Sequence, residues 1–200
     1  MGTAMIKLAL AAALLALSAP ALAQTAPAAT SGLVPVAIDT SLGRIVVALD
    51  QAHAPVTTAN FLHYVDTHRL DGETFYRAMR SSGGSLIQGG VRSDSRKLYP
   101  PIAHEPTSQT GLHNVAGAIS MANGGPGTTR ADFFILTNDI PSLDATATDP
   151  GFAAFGHVVE GMDVVQKILA SPVSETKGEG VMKGQMLDPP IRIIKAERVK

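Results

Sequence analysis

Thr74-Phe-Tyr-Arg-Ala-Met-Arg-Ser-Ser-Gly-Gly-Ser-Leu-Ile-Gln-Gly-Gly90 contains two short apolar segments separated by a glycine-rich stretch. Residues 74–77 and 86–88 are predicted to be β-strands, and residues 81–84 between them are predicted to form a turn. Arg77 stands in an otherwise apolar strand, and arginine is rarely buried unless it is paired or belongs to a site. The segment therefore predicts β-structure together with a candidate functional arginine.

Further short strands are predicted on both sides of this segment. Residues 34–38 and 45–49 alternate in polarity around Thr40-Ser-Leu-Gly43, which predicts a β-hairpin. Helices are predicted from Pro55 to about His68 and over residues 162–169, where apolar residues recur at helical spacing. The remaining strands are predicted at residues 118–121, 133–137, 155–159 and 191–199. Many short strands with two distant helices indicate a mainly β chain, an antiparallel barrel or sandwich capped by helices.

The N-terminus has the pattern of a secretory signal peptide. Lys7 precedes an apolar run over residues 8–17, and Ala21-Leu-Ala23 supplies the small residues of a cleavage site. The run is shorter than the roughly 20 residues that span a bilayer, so a membrane anchor is the weaker alternative. We expect a signal peptide over residues 1–23, a disordered lead-in over residues 24–32 and one domain over residues 33–200, with no stable membrane insertion after cleavage.

Composition excludes several function classes. The chain has no cysteine, which rules out disulfides, thiolate zinc sites and thiol nucleophiles. A net charge of −1 gives no reason to expect nucleic acid as a partner. The six histidines form no pair at the i, i+4 spacing of a helical zinc site, so no metal is expected. The glycine-rich stretches lack the lysine of a phosphate-binding loop, and no Gly-x-Ser-x-Gly motif supports a hydrolase.

Several motifs resemble those of one family in order and approximate spacing. They are Phe75-Tyr-Arg77, Ile87-Gln-Gly-Gly90, Met121-Ala-Asn-Gly-Gly-Pro126 and Phe133-Phe-Ile135. Residues 54–61 and 155–162 extend the likeness, which runs from about residue 34 to 199. The chain resembles the cyclophilins, and particularly their exported bacterial members. This resemblance implies a closed eight-stranded antiparallel β-barrel capped by two α-helices, a cofactor-free peptidyl-prolyl isomerase, a monomer and a periplasmic location.

The resemblance also implies a mechanism and a set of site residues. Twisting an X–Pro amide crosses a barrier of about 18–20 kcal/mol, because resonance is lost. The proline nitrogen then regains a lone pair that a hydrogen-bond donor can stabilise only in the transition state. Arg77 matches the family's donor and Gln88 the glutamine beside it. The residues that match the substrate-binding positions for proline-containing segments are Tyr76, Leu86, Ala122, Asn123, Phe134, Leu143 and Phe152.

The sequence departs from the family pattern in four places. The segment between Arg77 and Gln88 is longer than usual, Ser85 and Ser142 replace aromatic residues, and Asp132 brings a carboxylate near the groove. These changes predict a slow isomerase with weak affinity for cyclosporin. Asp132 either lies at a solvated rim or pairs with Arg77 or Arg130.

Two alternatives stay open at this point. Arg80 is a second candidate donor, although it lies outside the Phe-Tyr-Arg motif. A non-catalytic peptide-binding or chaperone-like module of the same fold is the alternative function.

Overall fold

The computed structural model describes Met1, residues 32–125 and residues 127–199. The predicted signal peptide and lead-in therefore lie, apart from Met1 and Gly32, outside the described residues. None of the helices in the described part combines the length and hydropathy needed to cross a membrane.

Eight strands close into a barrel in which every neighbouring pair is antiparallel. Hydrogen bonding links them in the order β1-β2-β7-β5-β6-β4-β3-β9, and pairing between β1 and β9 closes the ring. The two-residue strand β8 pairs with the start of β9 outside this ring. The strands are β1 (Leu33–Thr40), β2 (Gly43–Asp50), β3 (Thr74–Ser81), β4 (Gly84–Gly90), β5 (Ala118–Met121), β6 (Phe133–Leu136), β7 (Ala154–Glu160), β8 (Val173–Ser174) and β9 (Met186–Arg198). The predicted closed eight-stranded antiparallel barrel is confirmed.

The two predicted helices are present, and a third short one accompanies them. α1 (Pro55–Asp66) and α3 (Met162–Ala170) agree closely with the sequence prediction, and α2 (Thr107–Thr110) was not predicted. A helix of four residues is too short to produce an apolar periodicity, and Gly111 ends it with a left-handed backbone at φ 72°.

Aromatic side chains fill the barrel. Phe61 of α1 meets Phe133 edge to face at a centroid distance of 5.2 Å, and Phe75 meets the same ring at 5.6 Å. These three rings are essentially inaccessible to solvent. Their packing joins α1, β3 and β6, the elements that flank the candidate site.

A carboxylate from a distant loop accepts hydrogen bonds from backbone N–H groups in the first turn of α1. Ala54 precedes the helix and offers no capping side chain. Instead, the buried Glu105 accepts hydrogen bonds from the backbone N–H of Val56 at 3.1 Å and from that of Thr57 at 2.7 Å. A negative charge at this end of a helix also interacts favourably with the helix dipole.

We predict that Glu105→Gln lowers the free energy of unfolding by about 1–2 kcal/mol, because the amide loses the charge and one of the two acceptor oxygens. Urea unfolding followed by circular dichroism measures the change. The exposed Glu175 provides a matched control, since its replacement by Gln should change stability by less than about 0.5 kcal/mol. Equal stability of Glu105→Gln and the control would contradict the capping role.

Candidate active site

One extra residue in β3, Tyr76, decides on which side of the barrel Arg77 lies. Phe75 pairs with Gly89 of β4 and Arg77 pairs with Gln88, so Tyr76 is left without a partner on that strand. Phe75 and Ala78 both belong to the barrel core, although strict alternation would put residues three apart on opposite faces. This β-bulge resets the alternation. Tyr76 and Arg77 consequently share the outer face.

The outer face continues from Arg77 as a row across three more strands. Gln88 of β4 lies opposite Arg77, and Phe134 of β6 lies opposite Gln88. Ser120 of β5 then lies opposite Phe134. The structure thus brings both predicted catalytic residues and the predicted pocket floor onto neighbouring strands.

The Arg77 guanidinium is held by two side-chain amides. Its Nη1 donates to Gln88 Oε1 at 2.8 Å, and its Nε donates to Gln185 Oε1 at 2.9 Å. Arg77 is half-buried, and this burial lowers the pKa of the guanidinium. Among the described residues no carboxylate is paired with it, so an uncompensated positive charge sits on the outer face of the barrel.

Gln185 was not predicted from the sequence. It lies 108 residues after Arg77 and outside every motif of the resemblance. It directly precedes β9, the strand that pairs with β3 on the side away from β4. Gln185 lies next to Arg77 because of the strand order in the barrel, and no local sequence pattern predicts that contact.

Beside Gln88, an apolar cluster separate from the barrel core packs on the outer face of the barrel. It is called here the outer pocket, because it contains the residues that match the family's proline pocket. Its buried members are Leu86, Ala118, Phe134, Leu136 and Ile140, and its half-buried members are Met79, Ala122, Leu143 and Phe152. Five predicted substrate-binding residues meet here: Leu86, Ala122, Phe134, Leu143 and Phe152. Phe134 and Phe152 pack edge to face with centroids 5.5 Å apart. This arrangement suits a small apolar ring.

A buried amide, also missed from the sequence, ties the pocket wall together. Asn114 is 1% exposed, and its Nδ2 donates to the backbone oxygens of Leu143 and Phe152 at 3.1 and 3.2 Å. Its Oδ1 accepts from Ser120 Oγ at 2.7 Å. The same Nδ2 lies 2.8 Å from an oxygen of Asp144. Hydrogen bonds from Asn114 and His113 outweigh partial burial and lower the pKa of Asp144, which helps to keep this carboxylate an acceptor.

Gln88 also lines a cavity of about 440 Å³, called here the side cavity. The predicted residues Tyr76, Ala122 and Asn123 line it together with Gln88. Among the described residues, neither the backbone N–H nor the carbonyl of Asn123 has a backbone partner. An extended peptide could therefore pair with this edge.

Asp132 contacts Tyr76 and Arg92 in the side cavity. Its Oδ2 accepts from the Tyr76 hydroxyl at 2.9 Å and lies 3.8 Å from Arg92 Nη1. The Arg92 guanidinium also lies over the Tyr76 ring, 4.6 Å from its centroid. Burial raises the pKa of Asp132 and that of Tyr76. Neither suggested partner of Asp132, Arg77 or Arg130, is the observed one.

A glycine makes room for this carboxylate. Gly90 has a φ of +150°, and a Cβ on it would collide with Asp132. The second glycine of the Ile-Gln-Gly-Gly motif therefore allows β4 and the start of β6 to approach closely at the side cavity.

The other departures from the family pattern lie away from Arg77. Pairing of β3 with β4 continues from Arg77 and Gln88 outward to Ser81 and Gly84, so the longer segment extends a hairpin and leaves the two site residues opposite each other. Ser85 Oγ is hydrogen bonded to Thr137 and Asn138. Ser142 is exposed in a short turn before the pocket.

Arg80 is not placed to act as the donor. Its guanidinium donates to the backbone carbonyls of Leu169 and Ser171, where α3 ends. The alternative that it replaces Arg77 has no support from this geometry.

Known proteins match this chain in sequence and in fold. Residues 35–198 match the family described as cyclophilin type peptidyl-prolyl cis-trans isomerase/CLD. "Peptidyl-prolyl cis-trans isomerase A" of Dickeya dadantii is 39% identical over 66% of this chain and 70% of its own length. The peptidyl-prolyl cis-trans isomerase of Acinetobacter baylyi is 34% identical over 81% of this chain and 84% of its own length.

A solved structure supports the fold at low identity. The cyclophilin type isomerase of Cryptosporidium parvum, solved in the presence of the dipeptide Ala-Pro, superposes with a TM-score of 0.63 at 19% identity. The match covers 83% of this chain and 99% of that protein. The family match spans nearly all of the described barrel, and the two bacterial relatives agree with it. This chain belongs to the cyclophilin-type peptidyl-prolyl cis-trans isomerase family.

Proposed function

We propose that this protein catalyses rotation about X–Pro peptide bonds in exported proteins, with Arg77 as the hydrogen-bond donor to the proline nitrogen. Membership of an isomerase family gives the reaction class. The observation that carries the mechanism is the Arg77 guanidinium, held by Gln88 directly beside the outer pocket.

The mechanism requires only a well-placed donor. In the planar ground states the proline nitrogen is conjugated and accepts poorly, whereas in the twisted amide its lone pair is localised. A donor aimed at that nitrogen stabilises the transition state preferentially, and each ~1.4 kcal/mol gained is tenfold in rate. Arginine suits this role because it stays charged and carries several donors in a rigid plane.

The outer pocket and the rim beside it are proposed to hold the peptide. The proline ring would lie against Phe134 and Phe152, where the edge-to-face pair leaves an apolar wall. The backbone groups of Asn123 would pair with the residues before the proline. Crystallisation of the Cryptosporidium parvum relative in the presence of Ala-Pro supports a proline-containing ligand for this fold.

The side chains that replace aromatic residues are proposed to make turnover slow. Ser142 is exposed and Ser85 is engaged with Thr137 and Asn138, so neither adds apolar surface to the outer pocket. A pocket with less apolar area binds the proline ring and apolar inhibitors such as cyclosporin more weakly.

We predict that Arg77→Ala lowers kcat/KM by about 100-fold, the usual cost of removing a donor aimed at transition-state charge. A protease-coupled assay on a proline peptide measures the rate. Arg80→Ala, in the same strand, should keep the wild-type rate because, within the described part of the chain, the Arg80 guanidinium bonds only to backbone carbonyls near the end of α3. If the wild type itself works at the uncatalysed rate, the non-catalytic peptide-binding module becomes the better account.

A second prediction concerns the pH dependence of stability. Burial raises the pKa of Asp132 in the folded state, so folding favours the protonated carboxyl. The resulting contribution to the free energy of unfolding is fully present below the ordinary carboxyl pKa of about 4, and it is lost as pH rises through the raised pKa. The free energy of unfolding of the wild type, minus that of Asp132→Asn, should therefore fall as pH rises from about 3.5 towards 7.

A control with the opposite sign is available on α3. A hydrogen bond from Lys167 lowers the pKa of Asp163, so its contribution is present above the ordinary carboxyl pKa and is lost on acidification. The corresponding difference for Asp163→Asn should rise with pH. Urea unfolding over the pH series tests both, and a rising difference for Asp132→Asn would contradict the burial argument.

Export is proposed on the N-terminal sequence, and the periplasm as its destination is proposed on the resemblance to exported bacterial cyclophilins. We predict that a Gram-negative host processes the full-length chain to a periplasmic protein beginning at Gln24, which intact-mass measurement of the fraction would identify. A charge in the apolar run, as in Leu14→Arg, should leave the precursor in the cytoplasm. Cytoplasmic recovery of the unprocessed wild-type chain would contradict export. The expected monomeric state stays a prediction.

A further inference from the structure

We propose that Gln185 is a positioning residue for the isomerase: with Gln88, it fixes the Arg77 guanidinium so that Nη2 is the nitrogen that donates to the twisted amide. This inference rests on the proposed function, because it assumes that Arg77 is the catalytic donor. It adds a residue that lies outside every motif shared with the family in the sequence.

The hydrogen bonds of Arg77 identify the nitrogen whose two N–H groups are both free. Gln185 Oε1 takes the Nε–H at 2.9 Å, and Gln88 Oε1 takes one N–H of Nη1 at 2.8 Å. Among the described residues Nη2 has no hydrogen-bond partner. Because the guanidinium is planar, contacts at two of its nitrogens fix both its plane and its rotation. The two N–H groups of Nη2 are thereby left in a defined position.

The two acceptors hold Arg77 from opposite sides of its strand. Gln88 belongs to β4, and Gln185 directly precedes β9, on the other side of β3. A guanidinium with only one of these contacts could swing about its long side chain. With both, it is braced from the two neighbouring strands, and pre-organisation of this kind is what a transition-state donor needs.

Both acceptors are neutral amides, which matters for the chemistry. A carboxylate at either position would hold Arg77 equally well and would also cancel its charge. An amide oxygen orients the guanidinium and leaves the full positive charge available to the substrate. The pKa of Arg77, lowered by burial without a pairing anion, agrees with this arrangement.

Gln185 is itself anchored by its backbone. Its carbonyl accepts from Ala78 N–H at 2.9 Å, one residue after Arg77, and its N–H donates to the Met182 carbonyl at 3.0 Å. Among the described residues, the Gln185 side chain makes a single hydrogen bond, to Arg77. The side chain can therefore be shortened while the backbone contacts that support β3 remain.

The decisive test separates positioning from folding. For Gln185→Ala we expect kcat to fall about tenfold while KM stays within about twofold, since the binding surfaces are unchanged. Line-shape NMR on a proline peptide gives both constants. The exposed Gln166 on α3 is the matched control, and Gln166→Ala should leave both constants and the melting temperature at wild-type values.

Two further measurements report on the guanidinium directly. The Arg77 Nε–H signal in ¹⁵N NMR should be protected from exchange in the wild type and lose that protection in Gln185→Ala. Gln185→Glu retains the acceptor and adds a charge, so it should keep the protected signal and still lower kcat. That combination would separate orientation from neutralisation, and an unchanged kcat in Gln185→Glu would overturn the argument for neutral acceptors.

The kcat values of these variants test the positioning role of Gln185 separately from the catalytic role of Arg77. Wild-type kcat in Gln185→Ala, together with loss of turnover in Arg77→Ala, would overturn the positioning role and leave the proposed function standing. Full activity of Arg77→Ala would overturn both. Gln88→Ala with Gln185→Ala should cost less in kcat than the product of the single effects, because both act through one guanidinium.

Discussion

In β3 the extra residue of the bulge, Tyr76, lies with Arg77 between Phe75 and Ala78, and both of these bury their side chains in the barrel. Without the bulge, a strand that keeps Phe75 inside would also turn Arg77 inward, into a core of aromatic rings. An unpaired guanidinium there would cost several kcal/mol, and it would be closed off from any substrate. With the bulge, Phe75 and Ala78 stay in the core while Tyr76 and Arg77 emerge side by side. Tyr76 then engages Asp132, and Arg77 reaches its two amide partners.

The same wall of the barrel serves two apolar clusters, one on each face. In β6, Phe133 and Ile135 belong to the core, whereas Phe134 and Leu136 belong to the outer pocket. All four are buried, so the strand has no polar alternation. A groove on the outside of a β-barrel requires this, because the strand beneath it must be apolar on both faces. The run Phe133-Phe-Ile-Leu136 thus carries the site as well as the fold.

Local sequence patterns predicted much of this architecture. Contacts between segments that are distant in the sequence were not predicted. Two helices, most strands and the residues of the outer pocket follow from local patterns and from motifs shared with a known family. The features that were not predicted involve Gln185, Asn114 and Arg92, which are polar residues in loops. Polar loop residues have no periodic pattern from which their contacts could be predicted. Apart from Ser120, which bonds Asn114, their partners lie tens of residues away and become neighbours only when the strands pair. The partner of Asp132 could not be predicted for the same reason, since sequence order does not give the direction of a side chain that lies just before a strand.

The Arg77 guanidinium has neutral acceptors, and the carboxylate of Asp132 in the side cavity has other partners. From the sequence, Asp132 was a candidate partner of Arg77. Instead, the Tyr76 hydroxyl and the Arg92 guanidinium take up its carboxylate within the side cavity. The bulge contributes to this arrangement, because it puts Tyr76, which donates to Asp132, on the outer face next to Arg77. The residue that displaces Arg77 onto the outer face is therefore also a hydrogen-bond donor to the carboxylate.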